Sequence, residues 1–308
     1  MNIKKIMLIS DGAIPVPPIN GWGALERVVW NYSQQLIKLG YEVLISNHQD
    51  SSKVLEDWRR FKPDLVHNHI GKHWEAMSLM YGCKKIVTNH GGAFIFHKEF
   101  YDHVFTNYFR DCELYLLTDE EKTFYESYNI WKTIIIVPNG VDSQIFKNSK
   151  IRDGAVYLGQ INTRKKQSYY QKLGIDCYFA GNAEDPTFNY SNSKYLGSWT
   201  HEQVADNLCK FNALVLLSSS ELQPLVCLEA LCSGLGLVIS KPSAQSLDTS
   251  KPWISVIPED KLDDIDFINN EINRISSLSE RYREDIIKYG NSFDWANIIK
   301  KYVDLINA

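Results

Sequence analysis

Two carboxylates separated by eight positions carry the clearest chemical signal in this sequence. They are Glu221 and Glu229, within Ser218-Ser219-Ser220-Glu221-Leu222-Gln223-Pro224-Leu225-Val226-Cys227-Leu228-Glu229-Ala230. Glu221 falls in the loop after an apolar run that reads as a strand. Pro224 suits the first turn of the helix that follows, so the backbone N–H groups of Leu225 and Val226 are left free at the positive end of that helix. Glu229 lies inside an otherwise apolar helical stretch, where a carboxylate needs hydrogen-bond donors; ligand hydroxyls or backbone donors answer that need.

A second cluster is cationic. Gly159-Gln160-Ile161-Asn162-Thr163-Arg164-Lys165-Lys166 places three consecutive cations after another strand, which suits a diphosphate or, equally, a solvated basic turn. Glycines precede the first long helix in Gly21-Trp22-Gly23-Ala24-Leu25-Glu26, where backbone can approach an anion closely. Glu26 replaces the third glycine of a dinucleotide fingerprint, so that fingerprint is not supported. His90 ends a strand in Thr88-Asn89-His90-Gly91-Gly92. His67, His69 and His73 are close enough together to suggest zinc ligation, with Glu75 nearby, but no complete ligand set is evident.

The positioning elements alternate. Ile6–Ile9, Glu42–Ser46, Leu65–His67, Lys85–Thr88, Leu114–Leu117 and Thr133–Val137 read as strands. Ala24–Leu39 and Glu120–Tyr128 read as helices, the first stopped by Gly40. The pattern restarts after a polar seam at Asp142–Asp153, with strands Ala155–Leu158, Asp176–Ala180, Ala213–Leu217 and Leu237–Ser240. Thr200–Cys209, Leu225–Ser233, Leu262–Ser277, Ser279–Tyr289 and Trp295–Ile306 read as helices. Such alternation predicts α/β architecture with parallel sheets, and ligands in such sheets sit beyond the carboxyl ends of the strands.

The chain has 308 residues, enough for two domains. Lys and Arg total 33 against 37 Asp and Glu, a net charge of -4, which argues against a dedicated nucleic-acid binder. Six cysteines without a CxxC pair read as reduced, mostly buried thiols. No run of 18 apolar residues is present, so a cytoplasmic protein is expected. Trp58-Arg59-Arg60-Phe61-Lys62 is the one local hint of peripheral contact with the inner membrane face; a solvated helix end before Pro63 accounts for it better.

Taken together, these motifs resemble those of the retaining, GT-B-fold glycosyltransferases of family four. Glu221…Glu229 matches the E-x7-E motif, and Glu229-Ala230-Leu231-Cys232-Ser233-Gly234 its continuation. Pro138-Asn139-Gly140-Val141-Asp142 matches the interdomain PNGVD. Gly21–Glu26 is similar to the glycine-rich loop, and Ser292-Phe293-Asp294-Trp295 to the start of a C-terminal crossover helix. The resemblance runs from residue 3 to about residue 306. It implies two Rossmann-like parallel-sheet domains facing a cleft. An acceptor-side domain would span 1–145, joined by the C-terminal helix at about 293–308, and a donor domain 150–290.

The resemblance also implies transfer of a sugar from a UDP- or GDP-sugar to a hydroxyl of a glycan, lipid-linked or small-molecule acceptor, with retention and without metal or cofactor. Glu221 would contact the donor sugar, with His90 beside it. Glu229 would take the ribose hydroxyls, and Gly23, Leu225 and Val226 would cradle the diphosphate. Lys165 would balance the leaving group. The family usually has Arg where Gln160 stands, so Arg164 or Lys166 would supply that charge. Pro224 stands where glycine is commoner and Gln223 where an aromatic is usual. The first domain is compact for the family. The rival readings are a GT-B epimerase or inverting transferase, and a sugar-nucleotide-binding protein without turnover.

Overall fold

The computed structural model describes residues 3–18, 23–88, 90, 103–104, 107–108, 111–127, 131–149, 152–174, 176–182 and 184–308. The chain divides into two compact units. The first is Met1–Asn139 together with Trp295–Ala308, and the second is Gly140–Asp294.

The first unit is built on six parallel strands, β1 (Lys5–Ser10), β2 (Glu42–Asn47), β3 (Leu65–Asn68), β4 (Lys84–Thr88), β5 (Glu113–Leu116) and β6 (Ile134–Ile136). Their order is β2-β1-β3-β4-β5-β6. The central strand reads as a nearly unbroken apolar run because both its faces are covered, and Ile6, Met7, Leu8 and Ile9 are all fully buried. Ile9 lies opposite Asn68 of β3, while Ile6 and Val43 pair on the other side.

Helix α1 (Ala24–Lys38) buries Val28, Val29, Tyr32 and Leu36, a stripe at helical spacing. It ends at Leu39, followed by Gly40 at φ 90, where a side chain would be strained. α2 (Ser51–Phe61) starts on Asp50, whose carboxylate accepts from the Ser52 N–H. The Trp58–Phe61 stretch is its last turn, and Lys62 at φ 51 stops it before Pro63. α3 (Trp74–Ser78) and α4 (Lys122–Glu126) are short. The C-terminal helix, Trp295–Asn307, returns to this unit. It lays Trp295 and Tyr302 edge-on against Tyr32 of α1, with ring centroids 5.5 and 5.2 Å apart.

The second unit holds β7 (Ala155–Leu158), β8 (Cys177–Ala180), β9 (Ala213–Leu216), β10 (Gly236–Ser240) and β11 (Ile254–Ile257), again parallel, in the order β11-β10-β9-β7-β8. Its helices are α5 (Gln167–Tyr170), α6 (His201–Asn207), α7 (Leu225–Cys232), α8 (Ile265–Arg281) and α9 (Arg283–Asn291). From β7 the chain moves one way to β8 and the other way to β9. The strand order therefore reverses between β7 and β9, where such sheets open a crevice at their carboxyl ends. α7 is held behind that crevice by α9: a Cβ on Gly290 would fall 2.6 Å from the backbone N of Cys232. The two ends of the unit are tied together. Val141 N–H donates to Phe293 O at 2.9 Å, and the Ser143 hydroxyl donates to Asp294 at 2.6 Å.

Among the described residues, no helix is long and apolar enough to cross a membrane. All six cysteines are free, and burial pushes the Cys112 and Cys177 thiols up to about 12.

Candidate active site

Both loops that leave the reversal point of the second sheet carry charge. After β7 the chain runs through Gly159 into Arg164 and Lys165; after β9 it runs through Ser218–Ser220 into Glu221. Lys165 Nζ donates to Glu221 Oε1 at 2.6 Å, and Arg164 Nη1 lies 2.7 Å from the same oxygen. Lys165 and Glu221 are largely buried, with side chains only 10% and 11% exposed, whereas Arg164 is 42% exposed. Gly159 makes room for this lysine. It has φ 149, and a Cβ there would meet the Lys165 stem at 3.2 Å.

One side chain inside the sheet fixes both loops. The buried Tyr157 hydroxyl donates to the Lys165 carbonyl and accepts the Leu217 N–H at 2.9 Å. Ser219 N–H then donates to the Arg164 carbonyl at 2.9 Å. Burial holds the Tyr157 phenol well above its ordinary range, so it stays a neutral hydroxyl. Gln160 turns to other partners, donating to the Glu184 carboxylate and accepting from Asn162 at 3.2 Å. The cations on Glu221 are thus Arg164 and Lys165, and Gln160 is not part of that cluster.

α7 begins directly after Glu221. Pro224 is its N-cap, at φ -70 and ψ 116, rather than a member of its first turn, because its extended ψ has not yet entered the helix. Proline brings no side-chain cap, so the N–H groups of Leu225 and Val226 open the helix uncapped by a side chain. Burial runs all along α7 except at Leu225, Val226 and Glu229, which are partly exposed. Glu229 Oε1 lies 3.3 Å from His201 Nε2, at the start of α6, and both side chains are mostly buried. Thr200 caps α6 in a reciprocal capping box with Gln203, which fixes where His201 stands.

In the first unit, Gly23 precedes α1 at φ 92, and a Cβ there would lie 2.6 Å from Glu26 Oε2. Glu26 is buried, and loss of solvation raises its carboxyl above the usual range. Gly21 and Trp22 lie outside the described residues, as do Asn89, Gly91 and Gly92.

His90 follows β4 and meets His69, which follows β3, with Nε2 and Nδ1 3.2 Å apart. His69 stacks on His67 at 3.8 Å between centroids. Both nitrogens of His67 are engaged, with the Tyr302 hydroxyl at 3.1 Å and the Thr88 hydroxyl at 2.9 Å. His73 turns away to the Ser51 hydroxyl at 2.8 Å. The zinc arrangement suggested by these three histidines is therefore not formed among the described residues: both ring nitrogens of His67 are engaged, and His73 faces another partner. Burial depresses all of them, His67 and His69 well below the usual imidazole range and His90 to about 4, so the cluster is neutral at pH 7.

No protein-family model matches the sequence, and no curated protein matches it. Solved structures do. The chain is similar to sucrose-phosphate synthase from Thermosynechococcus elongatus, with a TM-score of 0.76 at 14% identity over 99% of this chain and 98% of that one. It is similar to the Anabaena protein HepE in complex with UDP-glucose, with a TM-score of 0.73 at 12% identity over 98% of this chain and 99% of that one. An alpha-glucosyltransferase in complex with UDP matches with a TM-score of 0.68 at 13% identity, covering both chains in full at 100%. The fold is GT-B.

Within this GT-B chain, the sequence-derived residues fall into two sets. Arg164, Lys165, Glu221, Leu225, Val226 and Glu229 stand along the reversal point of the second sheet and the helix behind it. Gly23 and His90 belong to the first unit, at the entry of α1 and the end of β4. Sequence reasoning missed Tyr157, His201 and the pairing of His69 with His90. Tyr157 sits in an apolar strand, where nothing local marks its hydroxyl. The Thr200…Gln203 capping box was a signal for where α6 starts, but not for what His201 would face.

Proposed function

We propose that this protein is a glycosyltransferase that moves a sugar from a nucleoside-diphosphate sugar to an acceptor hydroxyl with retention at the anomeric carbon. The observation that carries this reading is the Glu221 carboxylate, mostly buried at the sheet's reversal point and held by Lys165 and Arg164. Two cations and two uncapped helix N–H groups beside one carboxylate suit a substrate with a diphosphate at one end and hydroxyls at the other. The solved complexes of HepE with UDP-glucose and of the alpha-glucosyltransferase with UDP support a donor of that class.

In this reading the bond from the anomeric carbon to the diphosphate oxygen breaks as the acceptor oxygen bonds to the same face. The acceptor's proton passes to the departing phosphate oxygen. Lys165, Arg164 and the N–H groups of Leu225 and Val226 stabilise the charge growing on the diphosphate, which lowers the barrier without a protein nucleophile. Arg164 supplies the charge that Gln160 lacks. Glu221 accepts from the sugar hydroxyls and Glu229 from the ribose. The acceptor is a hydroxyl of a glycan, lipid-linked or small-molecule acceptor.

The test is turnover of UDP- and GDP-sugars against a panel of hydroxyl acceptors, in EDTA, with the product anomer assigned by NMR. Activity with retained configuration is expected. Glu221→Gln should lower kcat by at least about a hundredfold with an unchanged melting temperature. Wild-type turnover in Glu221→Gln overturns the site assignment, an inverted product overturns the mechanism, and tight donor binding with no turnover favours a binding protein.

A further inference from the structure

His201 stands against Glu229 and has no role in the donor-site reading. The argument starts from an isolated carboxylate. Glu229 projects from α7 between Leu228 and Ala230, which are both buried, and its own side chain is only 12% exposed. A carboxylate in that setting is best served by a polar partner that limits its rotation. His201 is the residue that meets it: Nε2 lies 3.3 Å from Oε1, at ion-pair distance, and its side chain is 17% exposed. An ionised carboxylate only accepts, so the tautomer with its proton on Nε2 is the one that attracts Oε1. His201 cannot swing away easily. Its backbone is fixed by the Thr200 and Gln203 capping box, and its ring rests edge-on against Phe146 with centroids 6.2 Å apart.

We propose that His201 is a positioning residue: it occupies Oε1 of Glu229 and so turns Oε2 toward the vicinal hydroxyls of a nucleoside diphosphate. This rests on the donor-site reading above and assigns a function to a residue that reading does not use. Two hydroxyls on adjacent carbons are good partners for a carboxylate oxygen whose rotation is stopped, and poor ones for a carboxylate free to turn. The expected consequence is selective. Loss of His201 should weaken the preference for ribose over deoxyribose more than it weakens binding as such.

The experiment is calorimetric titration of wild type, His201→Ala and His201→Gln with UDP, GDP and ADP and with their 2′-deoxy and 3′-deoxy counterparts, alongside melting curves. Wild type should prefer at least one ribonucleotide over a deoxy counterpart by about tenfold or more, the scale of one hydrogen bond to a charged group. His201→Ala should bring that ratio close to one. His201→Gln, which can still donate from its amide, should restore most of it.

A purely structural role would lower affinity for ribo- and deoxynucleotides equally and leave the ratio intact, which overturns the proposal. So does a wild type that binds nucleotides without telling ribose from deoxyribose. If no nucleoside diphosphate binds wild type at all, the donor-site reading fails first and this inference goes with it.

Discussion

Removing a single oxygen atom from Tyr157 should loosen both loops that carry the charged cluster. Tyr157→Phe keeps the ring, which stacks on Phe179 at 5.9 Å and lies 6.1 Å from Tyr170, so no cavity opens in the core. What disappears is a hydroxyl with two backbone partners, the Lys165 carbonyl and the Leu217 N–H. Leu217 is fully buried and Lys165 nearly so; neither freed group has ready access to water. An unsatisfied buried backbone group costs about 1–3 kcal/mol, so the pair should cost about 2–6 kcal/mol. For a unit of this size each kcal/mol lowers the melting temperature by about 2–4 °C, which places the expected shift at roughly 4–24 °C.

The assay is a melting curve with and without UDP or GDP, supported by urea unfolding. The mutant should melt earlier, and nucleotide should stabilise it less than wild type, because Lys165 and Glu221 no longer stand on a shared anchor. A shift smaller than about 2 °C together with unchanged nucleotide binding would refute the claim that this hydroxyl ties the loops together.

Two further predictions concern protons, and they have opposite signs. Burial lifts Glu121 to about 7 in the folded chain, against an ordinary value of 4.5, so the unfolded chain ionises first and stability is lost as pH rises from 4.5 to 7. Glu121→Gln should remove that loss: urea unfolding should show its advantage over wild type growing by up to about 3 kcal/mol across that window and then staying flat, and a constant difference would contradict the assignment. His90 works the other way. Its folded value of about 4 lies below the ordinary 6.5, so the unfolded chain binds the proton first and stability is lost as pH falls from 6.5 toward 4. His90→Gln should remove about 2 kcal/mol of the acid sensitivity measured between pH 6.5 and 5, and an unchanged slope would mean the imidazole is not held neutral.

The fold was legible because its strands are buried on both faces. Ile6–Ile9 and Ala213–Leu217 read as uninterrupted apolar runs, and they are the strands β1 and β9. Gly40 likewise marks the end of α1 where a positive φ is required. Elements that escaped reading are short or mixed. β11 is four residues between Pro252 and Pro258, and in α2 the stripe of Val54, Leu55, Trp58 and Phe61 is diluted by charged neighbours. Glu120–Tyr128 reads as one helix; within the described residues it is a tight turn at Asp119–Glu121 followed by α4, so its first turn is wound more tightly than the apolar spacing suggests.

The site was legible for a different reason, and only in half. Glu221 and Glu229 share one loop-and-helix segment, so their spacing survives in the sequence as a local pattern. Their partners do not. Lys165 reaches Glu221 across 56 positions, and His201 reaches Glu229 from the start of another helix. No local pattern encodes a contact of that kind, because it is set by the order of strands in the sheet. The sequence shows Arg164 and Lys165 in a cationic run that suits a diphosphate or a solvated turn. Only the reversal between β7 and β9 brings them to a carboxylate before any diphosphate is present. Under the proposed function, a diphosphate entering there would compete with Glu221 for two cations and so free the carboxylate. On that proposal, the exchange that binds one end of the donor would prepare the group that binds the other.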